Sequence, residues 1–402
     1  MTASARTIRS AYTLAEASLA LGALAIGVGE FASMTIVPAV ANTMAVSLST
    51  AGTIVSAYAF GVVVGSPVLT ILFPRVERRT LLVMLMFAYA AGNLLSAVAP
   101  GYRSLLGARL VAGFPHGAYF GVASLVAAGM VPRERRGRAI AHVMLGLTVA
   151  NIVGVPLVNW VSQLLGWRIV YVLVAAVALA TCIAILLVVP RSQPDTSSVK
   201  GELTAFRNVQ VWLTLSIIAV GFGGMFAFYT YLTPILTGVT RVSSFAVPWC
   251  LALLGVGMTV GSLIGGRLAD WSTDITIACS LIFGAAALAA FSVTSSRLLV
   301  AIVNIFAIGG FLAIVPAVQA RLMDVAGRAQ TLASALNHSA FNVANGLGAW
   351  LAGVSIASGF RLVSAVWIGA ALAICGCIPL VISIALRSRT ASQSCASARN
   401  VC

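Results

Sequence analysis

Gly27–Val28–Gly29–Glu30–Phe31–Ala32–Ser33–Met34–Thr35–Ile36–Val37–Pro38 lies inside an apolar run that extends from about Leu14 to Val40. About 20 apolar residues are enough for a helix to cross a bilayer, so this run reads as a membrane span. Glu30 reads as the only carboxylate well inside any apolar segment of the chain. A charged carboxylate at the centre of a span costs about 2.5–3.5 kcal/mol on insertion scales, and such residues mark ion or substrate paths.

The rest of the chain agrees with a membrane setting. Of 402 residues, 60% are hydrophobic and 8% charged, with a mean hydropathy of +1.04. Soluble domains carry about 25% charge, which excludes a soluble globular class. The formal net charge is +15. The bases sit in short clusters between apolar runs, which is the pattern of topology signals rather than of nucleic-acid binding. The first run is preceded by Arg6 and Arg9 and is too long for a signal-peptide core, so it is expected to stay as a span. The Cys375–Gly376–Cys377 pair has no further ligand at metal-binding spacing and reads as apolar packing.

Twelve candidate spans follow: 14–40, 51–73, 80–98, 105–129, 139–162, 167–189, 211–237, 246–268, 275–294, 298–321, 331–354 and 361–386. Helices are the open-ended elements that satisfy their backbone over such lengths in lipid. The expected organisation is an N-terminal tail (1–13), a six-helix bundle (14–189), a polar linker (190–210), a second six-helix bundle (211–386) and a disordered Ser/Arg-rich tail (387–402). With the N-terminus placed inside, 18 Lys and Arg fall on the cytoplasmic side and 5 outside. This bias sets both termini in the cytoplasm.

The halves repeat each other. Gly61–x3–Gly65–Ser66 returns 196 residues later as Gly257–x3–Gly261–Ser262, and Pro38 returns as Pro234. Ala150–Asn151–x2–Gly154 returns after 194 residues as Ala344–Asn345–x2–Gly348, and Gly166–Trp167–Arg168 after 193 as Gly359–Phe360–Arg361. Each copy has an even number of spans, so the repeats are parallel, an arrangement that places a substrate site near the midplane between them.

Several motifs then resemble the major facilitator superfamily. The stretch from Gly65 through Arg75, Arg78 and Arg79, and the one from Gly261 through Arg267 to Asp270, resemble its signature of a glycine, an Asp at the helix end and a basic cluster. The first copy has Pro74 where the Asp is expected; the second has Trp271 and Thr273 where bases are expected. A simple topogenic basic loop also accounts for Arg75, Arg78 and Arg79. Arg109–x3–Gly113–Phe114–Pro115–His116–Gly117 resembles the motif of span 4 in the twelve-span drug:H+ antiporter branch. Gly146–x7–Gly154–Val155–Pro156 is similar to its antiporter bend, and Asn337–His338 through Gly348 is similar to its span 11.

The resemblance implies an all-α polytopic fold of two pseudo-symmetric six-helix bundles that rock about a midplane site. It implies proton-coupled export of a small organic compound: a drug, sugar, nucleoside or related metabolite. By helix rise, Glu30 lies about 15 Å from the outer end of its span, His116 about 17 Å and Arg109 about 6 Å. Glu30 is expected to bind the proton with His116 or Arg109 as partner, or else to be held neutral as a packing hydrogen-bond donor. Arg109 either pairs with Glu30 or snorkels to the outer interface. Phe226, Tyr229, Asn304, Asn337 and Asn342 are the expected cavity residues; Gly154, Pro156 and the loop charges are the expected gating positions. The expected partners are substrate, protons and the lipid bilayer of a bacterial inner membrane, with a monomeric chain and no cofactor, metal or nucleic acid. The rival readings are a proton symporter importing a nutrient, and a polytopic membrane enzyme or non-transporting receptor.

Overall fold

The computed structural model describes the backbone of residues 3–73, 76–132, 136–191, 207–327 and 330–399. Twelve of its helices are long and apolar enough to cross a membrane: α1 (Tyr12–Thr35), α2 (Leu48–Leu69), α3 (Arg78–Ala97), α4 (Tyr102–Gly129), α5 (Ala139–Leu165), α6 (Arg168–Val188), α7 (Val209–Gly238), α8 (Ser244–Trp271), α9 (Thr273–Thr294), α10 (Leu298–Ala326), α11 (Leu336–Ala357) and α12 (Ser364–Ser388).

The first six helices pack on one another in the same pairing as the last six. Helix α1 lies against α5 and α6, α2 against α4, and α3 against α4 and α6; α7 lies against α11 and α12, α8 against α10, and α9 against α10 and α12. The repeat extends to single atoms. A Cβ added at Gly61 would lie 2.1 Å from the carbonyl oxygen of Leu110, and one at Gly257 would lie 2.3 Å from that of Phe306. Gly65 meets the backbone of Phe114 as Gly261 meets that of Gly310, again 196 residues on. These glycines let α2 touch α4, and α8 touch α10, backbone to backbone. The two sets meet along α2 with α11, α5 with α8, α1 with α7 and α4 with α11.

Five helices depart from regular geometry near mid-length, α12 among them with a one-residue break at Gly376. Helix α4 breaks between Gly113 and His116, where Pro115 has no N–H to donate and crowds the preceding turn. Helix α10 tightens to a 3-10 turn over Gly310–Ala313, one repeat later. Helix α5 widens to a π-turn over Ala150–Gly154, ahead of Pro156, and α7 does so over Ile217–Gly221. Gly154 and Pro156 thus sit at an irregular turn of α5, and the carbonyl of Asn151 within it lies 2.6 Å from where a Cβ on Gly255 of α8 would stand.

Two boundaries differ from expectation. The first span stops at Thr35, and a separate short helix, Val37–Met44, carries Pro38 in its first turn, where proline is tolerated. The tail expected to be disordered instead continues a helix, Cys377–Arg399. Residues 387–399 contain neither Gly nor Pro, so nothing stops the helix from propagating. Most of the expected linker, residues 192–206, lies outside the described residues, as does Arg75.

Candidate functional site

Glu30 is buried where the two sets of helices meet. Its Oε1 accepts a hydrogen bond of 2.9 Å from the Nδ2 of Asn345 on α11. Flanking glycines make this position possible. A Cβ on Gly27 would stand 2.8 Å from Ala150 of α5, and one on Gly29 would stand 2.1 Å from the hydroxyl of Tyr89 on α3. Helix α1 is therefore held closely on both sides, and Glu30 is left facing the second half.

Arg109 takes neither expected position. Its side chain is fully buried, so it does not snorkel. Its guanidinium forms no ion pair with Glu30. It donates to Asn93 Oδ1 at 3.2 Å and to the carbonyl of Gly29, the residue before Glu30, at 3.3 Å. It is held between the rings of Tyr58 and Tyr171, 4.5 and 4.8 Å from their centroids. Cation–π contact offsets part of the cost of a desolvated guanidinium. The Nε atom remains buried without a partner. The result is a fixed positive charge one residue from Glu30 that is walled off from the interface.

His116 also misses Glu30. Its Nδ1 shares a hydrogen bond of 2.8 Å with the hydroxyl of Tyr58. Its ring lies 5.3 Å from Phe120 and 6.3 Å from His338 of α11, and His338 stacks on Phe120 at 5.0 Å. Tyr58 thus joins the two sequence-predicted residues, with Arg109 over its face and His116 on its hydroxyl. Tyr58 carries no motif and lies three residues before Gly61, so its role was not legible in the sequence. Asn345 was visible as a member of the repeated Ala–Asn motif and of the span 11 stretch Asn337–Gly348, but neither marked it as the partner of Glu30.

Phe226 and Tyr229 do come to Glu30's neighbour. Phe31 lies 6.4 Å from Phe226 with near-parallel rings and 5.4 Å from Tyr229. The hydroxyl of Tyr229 and the Oδ1 of Asn345 are buried without partners, so the wall offers apolar surface with two free polar atoms. The other expected cavity residues are each tied to a protein partner. Asn304 donates to Thr294 at 2.8 Å, tying α10 to α9. Asn337 donates to Gln319 of α10 at 2.5 Å, and Asn342 donates to the carbonyl of His338 in its own helix at 3.0 Å. Spacing placed these three on apolar helices, but only packing decides which way each side chain turns.

The loop charges are also redistributed. Arg78 and Arg79 begin α3, and Arg79 donates to the carbonyl of Leu186 on α6. Among the described residues, Arg267 and Asp270 form no ion pair. The carboxylate that is paired is Asp274, at the start of α9, with Arg321 and Arg387. Glu16, a second carboxylate in α1 near its end, pairs with His142 of α5 at 2.7 Å. Among the described residues, no group of three or more His, Cys, Asp or Glu could hold a metal ion.

The comparisons with known proteins agree with this architecture. The family model described as Major Facilitator Superfamily matches residues 19–326. The chain is 37% identical over 344 residues to the inner membrane transport protein YdhP of Escherichia coli (strain K12), covering 85% of this chain and 88% of that protein. It is 31% identical over 257 residues to a chloramphenicol resistance protein of Streptomyces lividans, covering 63% of this chain and 66% of that protein. The crystal structure of a D-xylose-proton symporter superposes with a TM-score of 0.73 at 16% identity, covering 92% of this chain and 96% of that one, and so shares the fold. The chain belongs to the Major Facilitator Superfamily and is a multi-pass inner-membrane transporter of small solutes, not an enzyme.

Proposed function

We propose that the protein exports a small organic compound in exchange for protons, with Glu30 as the proton-binding carboxylate and both termini in the cytoplasm. One observation carries this reading. The buried carboxylate of Glu30 in the first half is hydrogen-bonded to Asn345 of the second half. A carboxylate that loses its charge becomes a weaker acceptor, so protonation loosens a bond that ties the halves together. The guanidinium of Arg109, fixed on the carbonyl of Gly29, supplies constant positive potential and keeps the deprotonated form accessible. Alternating access then follows from rocking of the halves about this contact. Protons arriving from outside load Glu30 in one state, and substrate displaces them in the other. The direction of transport rests on the motifs of α1 and α5 and on the likeness to a chloramphenicol resistance protein.

The substrate is identified by growth protection in an efflux-deficient bacterium, repeated with a protonophore. The purified protein is then tested in proteoliposomes with an imposed pH gradient. Glu30→Gln, which keeps an acceptor oxygen but cannot ionise, is expected to abolish gradient-driven transport while leaving the protein folded. Gradient-driven transport at the wild-type rate in Glu30→Gln would remove the carboxylate from the mechanism. Uptake in the same direction as the proton would replace exchange by symport.

A further inference from the structure

The charge cluster of the second half is unbalanced. Asp274 is paired with both Arg321 and Arg387, so two guanidinium groups share one carboxylate. Arg321 is 1% exposed and Arg387 is 40% exposed. Arg321 also donates to the hydroxyl of Ser383 at 2.6 Å, and that hydroxyl donates to Gln210 of α7. Even so, the Nε of each arginine is buried without a partner. Asp274 is the second residue of the helix Thr273–Thr294, whose Ser272 cap accepts from Ile275. The positive end of that helix adds to the excess. Among the described residues, the guanidinium groups of Arg321 and Arg387 and the start of that helix meet the one carboxylate of Asp274.

The surroundings say what kind of anion fits. The cluster sits where α9 begins and α12 ends, at the margin of the apolar layer. Ile275, Ile282 and Phe283 of α9 and Ile378, Val381 and Ile382 of α12 expose large apolar side chains. A surface of this kind takes acyl chains, and basic pockets between helices at this level take phosphate headgroups. The first half has no copy of the site, because the position equivalent to Asp274 at the 196-residue offset is Arg78.

We propose that Arg387, at the end of α12 beside the start of α9, binds the phosphate of an anionic phospholipid in competition with Asp274, with the buried Arg321 of α10 behind it holding the site positive. The phosphate takes the free donor capacity of the Arg387 guanidinium, and its lipid tails lie on the exposed isoleucines. The bond between α9 and α12 then depends on the lipid around it.

The test uses the full-length protein in detergent, with thermal unfolding followed while phosphatidylglycerol, phosphatidylcholine or inorganic phosphate is added. Phosphatidylglycerol is expected to raise the midpoint saturably and phosphatidylcholine is not. Arg387→Gln weakens the apparent affinity for phosphatidylglycerol by about tenfold, the order expected for one charge-assisted bond. Asp274→Asn removes the competitor and strengthens it. If inorganic phosphate gives the same saturable rise, lost in Arg387→Gln, the site stands and the source of its phosphate is free in solution. An equal response to both lipids overturns the proposal. So does a phosphatidylglycerol response that Asp274→Asn abolishes or leaves unchanged, because the cluster is then a structural ion pair only. Asp274→Asn carries the test by itself should Arg387→Gln fail to fold.

Discussion

The two halves share a frame and differ in what fills it. Gly61, Gly65 and Gly113 meet backbone at the same places as Gly257, Gly261 and Gly309 do 196 residues later. At that offset Tyr58 becomes Leu254, Asn93 becomes Ala289, Arg109 becomes Ile305, His116 becomes Leu312, and Glu30 becomes Phe226. The polar cluster of the first half is replaced position by position with apolar side chains. A helical frame held by glycine contacts tolerates either, because the close approach of two backbones depends on the absence of a Cβ and not on the neighbouring side chains. Chemistry was therefore free to concentrate on one side. The second half contributes what the first lacks: the aromatic surface of Phe226 and Tyr229, and the amide of Asn345.

The largest expected effect tests the shared frame. Gly61→Leu and Gly257→Leu each drive a side chain into a carbonyl oxygen about 2 Å from its Cβ, a backbone contact that cannot shift cheaply. Both are expected to give no monodisperse protein on size-exclusion chromatography. A folded Gly257→Leu alone would show that the second half is the looser copy.

The next effect separates the halves. Arg109→Leu leaves the Oδ1 of Asn93 without its donor, takes one of the donors from the carbonyl of Gly29, which Ser33 still serves, and removes the fixed charge near Glu30. Breaking a buried charge network costs about 3–5 kcal/mol. Gradient-driven transport is expected to fall at least about tenfold, without rescue by Arg109→Lys, since a lysine cannot fill a planar slot between two tyrosine rings and reach both acceptors. Ile305→Val, at the equivalent position, is expected to lower stability by about 0.5–1.5 kcal/mol and to leave the pH dependence of transport unchanged. A shifted pH profile in Ile305→Val would mean that the second half takes part in proton chemistry.

The smallest effect concerns the repeated asparagines. Asn345→Ala removes the hydrogen bond to Glu30, whereas Asn151 bonds only the carbonyl of Leu147 in its own helix. Asn345→Ala is expected to shift the pH profile of transport and lower its rate several-fold, about what one hydrogen bond to a charged group is worth. Asn151→Ala should leave the profile in place. Equal shifts in the two variants would make the Glu30–Asn345 bond incidental.

Much of the fold was legible because its signals are local or periodic. Span length, basic loops and the glycine repeat survive in a single chain read end to end. The site was legible only in part. Phe226 sits one repeat from Glu30 and Tyr229 three residues further along α7, and both rings meet Phe31, the residue after Glu30. The pairing of Glu30 with His116 did not follow from their common depth, since two residues at one level of a bundle can face different neighbours. Here Tyr58, on a third helix, takes the imidazole. Likewise Asn304 and Asn337 are equally polar and equally deep in apolar runs, yet their amides turn toward α9 and α10.

By itself the sequence determined that this chain spans the membrane twelve times in two copies of one design, and that one half carries an acidic group in its first helix. These follow from the cost of unsatisfied polar groups in hydrocarbon, which each segment meets alone. Only the tertiary structure decided that Asn345 is the partner of Glu30, that Arg109 is sealed between two tyrosines, and that Asp274 rather than Asp270 gathers the arginines. Those choices depend on which faces of separate helices meet, and that is set by packing across the bundle, where residues 315 positions apart become neighbours.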